Sequence, residues 1–268
     1  ADELRLDEVR NNPGIAAYAR INSQLADFTT VDTWVDWREE NFRTVNNTER
    51  KSSDLNSSLA TTTNVHKFLP GTWGFSIPVK FTVSSQISLP RFGPNSDVEL
   101  RSSEKDSLRT ENTKQLMEVS LGKRGGRNVL MRWTLDQMNL RLSQTVQNNR
   151  SPVTPLDRLE SQTANFSYKM PLPKPKIRYL DWLPEFAPKA MRESELSPLP
   201  TVANYTLAMN RQDSRTWRAT QTDTTANEAF TLKETYNTKV SLIRSLTADY
   251  NLQIDRDLRK NFDVSASA

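Results

Sequence analysis

Lys67-Phe68-Leu69-Pro70-Gly71-Thr72-Trp73-Gly74-Phe75-Ser76-Ile77-Pro78-Val79-Lys80-Phe81-Thr82-Val83 is the stretch whose reading decides the fold. From Trp73 it alternates without a break. Trp73, Phe75, Ile77, Val79, Phe81 and Val83 share one face; Gly74, Ser76, Pro78, Lys80 and Thr82 share the other. Side chains of a strand point to opposite faces in turn, so this pattern predicts a strand with one apolar and one polar face. The run matches a strand that crosses a bilayer, about 9–11 residues. Pro70-Gly71 opens it as a turn, and Trp73 stands near its start, where a membrane interface takes a Trp. Taken alone, the same alternation describes a half-buried strand of a soluble sandwich. Pro78 lacks a donor, so its N side is expected to meet a bulge, a gap or a sheet edge.

Composition narrows the choice. The 268 residues are 35% hydrophobic, with only 7 Gly and abundant Ser, Thr and Asn. That is thin material for a core and suits a sheet with a wet face. No apolar run is long enough for a transmembrane helix, but a barrel hides its lipid face in alternation. Cys is absent, which excludes disulfides and thiolate metal sites. The net charge of +4 comes from 36 basic and 32 acidic residues, interspersed. The longest basic cluster, Lys174-Pro175-Lys176-Ile177-Arg178, is a solvated loop rather than a nucleic-acid footprint, so no nucleic-acid partner is expected. The chain starts without Met or a signal-peptide pattern and ends in the strand-like Phe262-Asp263-Val264-Ser265-Ala266. It is expected to be a fragment of something longer.

Other segments repeat the alternation. Before the opening stretch, Leu25-Ala26-Asp27-Phe28 is a candidate strand, Val31, Thr33, Val35 and Trp37 alternate, and Leu55 and Leu59 mark a polar strand. Residues 91–114, dense in charge, read as a long loop. Met117, Val119 and Leu121 form a strand, Lys123-Arg124-Gly125-Gly126 a hairpin turn, and Val129, Met131, Trp133 and Leu135 a further strand. The parity then switches to Met138, Leu140 and Leu142. Ala164, Phe166, Tyr168 and Met170 alternate cleanly, as do Ala203, Tyr205, Leu207 and Met209. Between them the Pro-rich residues 171–200 read as a second long loop. Even positions from Phe230 to Ile254 are mostly apolar, with a tight turn expected near Ile243-Arg244-Ser245. The fold expected is all-β, an antiparallel meander of about 10–12 strands over a single region, 1–268. Short turns are expected on one side and long loops on the other.

No chemistry stands out. His66 is the lone His and reads as structural. No Gly-x-Ser-x-Gly elbow, phosphate-binding Gly loop or zinc-ligand spacing occurs, so neither an enzyme nor a cofactor is expected.

Three stretches carry a resemblance. The first is Lys67-Phe68-Leu69-Pro70, Trp73-Gly74-Phe75-Ser76-Ile77-Pro78-Val79, then Leu89-Pro90-Arg91-Phe92 with Pro94. The second is Leu199-Pro200-Thr201-Val202-Ala203-Asn204-Tyr205 with Met209-Asn210-Arg211. The third is Tyr236 with Ser241-Leu242-Ile243-Arg244-Ser245-Leu246-Thr247-Ala248-Asp249-Tyr250. In this order they resemble the SprA/Sov family, the outer-membrane translocon of the type IX secretion and gliding-motility system. The resemblance implies a large transmembrane β-barrel in the cell outer membrane, of which this chain supplies an arc. It also implies that secreted cargo proteins pass through the barrel and leave sideways to a shuttle protein, and that a plug protein closes the pore. Trp73, Phe75, Ile77, Val79, Phe81 and Val83 would then face outer-membrane lipid, and Ser76, Lys80 and Thr82 the wet lumen. The competing expectation is a soluble or surface-anchored β-sandwich adhesin, which would bury Trp73 in a core. A different outer-membrane barrel, such as a lipopolysaccharide-assembly pore, is the third.

Overall fold

The computed structural model describes residues 13–42, 52–94, 96–125, 131, 134–170, 177–178, 195–196, 200–220, 222–243 and 246–259. They fold as one antiparallel sheet. Its strands are β1 (Ala16–Leu25), β2 (Thr29–Arg38), β3 (Ser52–Asn64), β4 (Phe75–Ser76), β5 (Pro78–Pro90), β6 (Thr110–Lys123), β7 (Met138–Arg150), β8 (Leu156–Met170), β11 (Pro200–Trp217), β12 (Thr225–Ile243) and β13 (Leu246–Asp257). Their order is β1-β2-β3-β5-β6-β7-β8-β11-β12-β13, with β4 also on β6. A separate pair joins β9 (Ile177–Arg178) to β10 (Glu195–Leu196). The single α-helix among the described residues is α1 (Ser102–Ser107). The fold is therefore all-β and a meander, as the alternation predicts. The sheet is not closed: no pairing joins β1 to β13 among the described residues. No helix there is long and apolar enough to cross a membrane, which says nothing about strands.

The opening stretch is not one strand. Gly71–Trp73 is a 3₁₀ turn, and Gly74 follows in the left-handed region with φ 66°. Phe75 and Ser76 pair with Lys123 and Gly122 of β6, and regular pairing resumes at Val79 with Val119. The register is the same on both sides of the gap, so the alternation keeps its face through the break. A second 3₁₀ turn, Val65–Phe68, explains the gap. Val65 N–H donates to the Ile77 carbonyl at 3.0 Å, and Ile77 N–H donates to His66 Nδ1 at 3.2 Å. Ile77 thus turns its backbone groups away from β6. Successive residues of a strand direct these groups to opposite sides, so Pro78 turns toward β6, where it has no N–H to give. The donor missing at Pro78 leaves the gap, and the lone His serves the backbone beside it.

Three further expectations change. The first loop is 91–109 rather than 91–114, because β6 already begins at Thr110. Of the strand expected at Val129, Met131, Trp133 and Leu135, Val129 and Trp133 lie outside the described residues, while Met131 is helical and Leu135 starts the 3₁₀ turn Leu135–Gln137, which precedes the parity switch at Met138. The candidate Leu25-Ala26-Asp27-Phe28 is the β1–β2 turn rather than a strand, with Ala26 at φ 50°. The turn expected near Ile243-Ser245 is present, since β12 ends at Ile243 opposite Leu246. Most of the 171–200 loop lies outside the described residues.

The long connections also do not share one side. Segment 91–109 leaves the rim that carries connections 39–51, 151–155 and 218–224, here called the charged rim. Segment 171–199 leaves the opposite rim, with 26–28, 65–74 and 124–137, here called the corner rim.

Candidate functional site

The register carries each strand's alternation across the whole sheet. On one face lie Ile21, Val35, Leu59, Val79, Phe81, Val83, Met117, Val119, Leu140, Leu142, Phe166, Leu207, Met209, Leu232 and Leu252. The opposite face is nearly all Ser, Thr, Asn, Gln and charge. Among the described residues only Lys123 is buried, and no large side chain is fully enclosed. Met117, Leu142 and Tyr236 keep 48%, 43% and 40% of their surface exposed. Apolar residues of a sandwich would be covered by a second sheet; among the described residues none covers this face.

The apolar face has a defined border. Starting from Met138 at the corner rim, Tyr168, Tyr205, Tyr236 and Leu252 stand directly opposite one another on adjacent strands. Tyr205 and Tyr236 have ring centroids 4.8 Å apart, and Phe166 meets Tyr205 edge-on at 6.3 Å. The row runs across the apolar band toward Leu252, and the Tyr236 hydroxyl donates to Glu234 rather than to water. Toward the charged rim the first charges on this face are Arg256 in β13, Glu228 in β12, Arg211 in β11, Glu160 in β8, Arg150 in β7 and Glu111 in β6, then Arg91 just past β5.

This border is not level. Straight across the ladder, Leu252 leads through the tyrosines and Met138 to Phe75, yet the charge-free band is centred near Leu252 in β13 and near Phe81–Val83 in β5. A climb of about seven residues over six strand spacings, at about 3.3 Å and 4.8 Å each, is a slope of roughly 40°. Strands of transmembrane barrels tilt by that amount, so a level bilayer meets the ladder on a diagonal.

Two charges interrupt the band, and both are paired. Glu234, only 12% exposed, lies 3.4 Å from Arg256 and accepts from the Tyr236 hydroxyl at 3.3 Å. Lys123, 8% exposed, lies 3.6 Å from Asp136 and also donates to Met131 Sδ at 3.5 Å. On the polar face Arg20, Arg38, Arg141 and Lys239 hold Asp32, Asp36, Glu118 and Asp249. Asp54, Asp157 and Asp255 accept from neighbouring side chains, and Asp257 binds Arg259.

The sequence-predicted residues separate into two groups. Phe75, Ile77, Val79, Phe81 and Val83 lie on the apolar face in a single register. Trp73 lies outside the strands, 52% exposed, with its ring 6.3 Å from Phe75. Most of the motif residues build the corner. Lys67 pairs with Asp27 of the β1–β2 turn, and Phe68 packs edge-on against Phe28 at 4.5 Å. The Lys67 hydrogen bond, then its charge, holds the Asp27 carboxyl below the usual carboxylate range. Leu69 N–H closes the first 3₁₀ turn on the His66 carbonyl, and Pro70 caps the second. A Cβ on Gly74 would sit 1.9 Å from the Arg124 carbonyl oxygen, and Arg124 N–H donates to the Gly74 carbonyl at 2.9 Å. Only Gly fits there. Pro90 ends β5 opposite Ser52, and Pro94 lies in the turn closed by Ser96 N–H on the Gly93 carbonyl.

Residues 1–103, which hold β1 to β5 and this corner, match the model of the SprA_N family, described as a motility related/secretion protein. Over these residues the chain is similar to the SprA family. No curated protein matches it. The SprA match contains the first resembling stretch, Lys67–Pro94, and ends before the other two. The sheet does not end with it: β6 to β13 continue the same ladder from β5 without a second layer among the described residues. Sequence reasoning missed the tyrosine row and the tilt, because both exist only once strands far apart in the chain are in register.

Proposed function

We propose that the chain is a wall segment of an outer-membrane protein-secretion barrel of the type IX system, conducting folded cargo to the cell surface. The observation that carries this reading is the charge-free band on one face of the sheet, sloped at a barrel strand's tilt. The SprA match, to a motility and secretion family, supports it from the sequence side. The band faces lipid and the Ser/Thr/Asn-rich face lines water. The segment performs no catalysis; it shapes and charges a passage. Shuttle and plug proteins are its expected partners, and β1 and β13 continue into further strands.

The test is Val79→Arg beside Lys80→Glu in the intact protein. An Arg on the lipid face costs about 2–4 kcal/mol at midplane, whereas the lumen face tolerates charge. Val79→Arg should abolish the heat-modifiable folded band and the export of cargo, and Lys80→Glu should leave both. Equal behaviour of the two variants would overturn the facing.

A further inference from the structure

The polar face has an imbalance of partners. Its carboxylates are all engaged among the described residues, as set out above, while several cations are not. The side chains of Lys169, at the end of β8, and Arg124, just past β6, form no ion pair or hydrogen bond there. Both line a hollow of about 920 Å³ near the corner rim, together with Arg141, Asn139, Ser167 and Asn204. Arg141 is itself 59% exposed and touches Glu118 only at 3.4 Å. The hollow thus presents free positive charge beside neutral donors and acceptors and the paired Lys123 and Asp136.

We propose that this hollow is a docking site for acidic polypeptide segments. The proposal rests on the reading of the polar face as the lining of a water-filled passage. Lipid phosphate is excluded as the occupant by position, since Lys169, Asn139 and Ser167 lie on the face opposite the apolar band. The wall also fits a peptide better than a polyphosphate or nucleic acid. Among the described residues the buried amide oxygen of Asn204 has no hydrogen-bond partner and needs a donor, which a peptide backbone brings and a bare polyanion lacks. A guanidinium and an ammonium are the natural partners of Asp and Glu side chains. Isolated cations in a polar wall give a weak, salt-sensitive grip that lets a passing chain go.

The experiment uses the intact protein in detergent. Ser167→Cys is first labelled with a water-soluble maleimide. Binding of a fluorescein-labelled Glu/Ser peptide and of its Lys/Ser counterpart is then read by anisotropy at low and high salt. The expected result is labelling of Ser167→Cys and salt-sensitive binding of the acidic peptide only. Affinity should fall about tenfold in Lys169→Gln/Arg124→Gln, with preference reversed toward the basic peptide in Lys169→Glu/Arg124→Glu. Heat-modifiability of both double variants checks that they fold. An unlabelled Ser167→Cys would overturn the passage reading and the docking site with it. Labelling with equal binding of both peptides, or with no change in the double variants, would overturn the docking site alone. Displacement of the acidic peptide by inorganic polyphosphate at lower concentration than by the peptide itself would replace it with a polyanion site.

Discussion

Two features of the sheet were built in opposite ways. The corner at Val65–Ile77 is local: His66, Lys67, Phe68 and Gly74 act within a few residues of one another or on the turn beside them. The tyrosine row is remote: Tyr168, Tyr205 and Tyr236 come from three strands and touch only through the ladder. The corner is specific, most sharply at Gly74, where only Gly fits. The row is repetitive, and each member does a share. A motif in the sequence marks the first kind of feature and is blind to the second.

The largest expected effect is at the corner. Gly74→Val places a side chain on the Arg124 backbone at a positive φ, where neither can move away. A loss of about 3 kcal/mol or more is expected, with β4 detached from β6, seen as fast amide exchange at Arg124. Ordinary protection there would show that the corner is not specific. Next comes the pair inside the band. Arg256→Leu strands the Glu234 carboxyl among apolar side chains, while Glu234→Gln frees Arg256 to reach toward the charged rim. The first should cost about 3 kcal/mol and the second much less, by urea unfolding in detergent. Reversal of that order would place the pair outside the band.

A smaller effect is expected in the row. Tyr205→Ala removes both ring contacts at once and should cost about 1–2 kcal/mol, with the sheet intact by circular dichroism. A cost as large as at Gly74 would make the row as specific as the corner. The smallest is the Asp27–Lys67 clasp, which is exposed. The folded carboxyl titrates below its unfolded value, so the clasp stabilises above the unfolded pKa and is lost as pH falls through the folded one. Amide exchange of the β1–β2 turn should rise there in the wild type and not in Asp27→Asn.

How much of this was legible follows from the same contrast. The all-β meander was readable because period two survives in single strands such as Ala164–Met170 and Ala203–Met209. The face of Phe75 to Val83 was readable although the strand was not continuous, since the break at Ile77–Pro78 conserves register. The strand β1 escaped notice because Ala17, Ala19 and Ser23 carry its apolar face too weakly. Met131 and Leu135 misled because alternation also arises by chance outside strands. Thr110–Leu116 looked like loop because an edge of charge, Glu111 and Lys114, continues a strand past the band. The slope had no trace in any one segment.

That slope is the most direct point of attack. Spin labels at positions 75, 81 and 252 of the intact protein in bilayers report depth through relative access to oxygen and to a water-soluble nickel chelate. Positions 81 and 252 should share the bilayer midplane, and position 75, directly across the ladder from 252, should sit near the corner-rim interface. Equal depth at 75 and 252, or no oxygen preference at any of the three, would contradict a tilted wall of a membrane barrel.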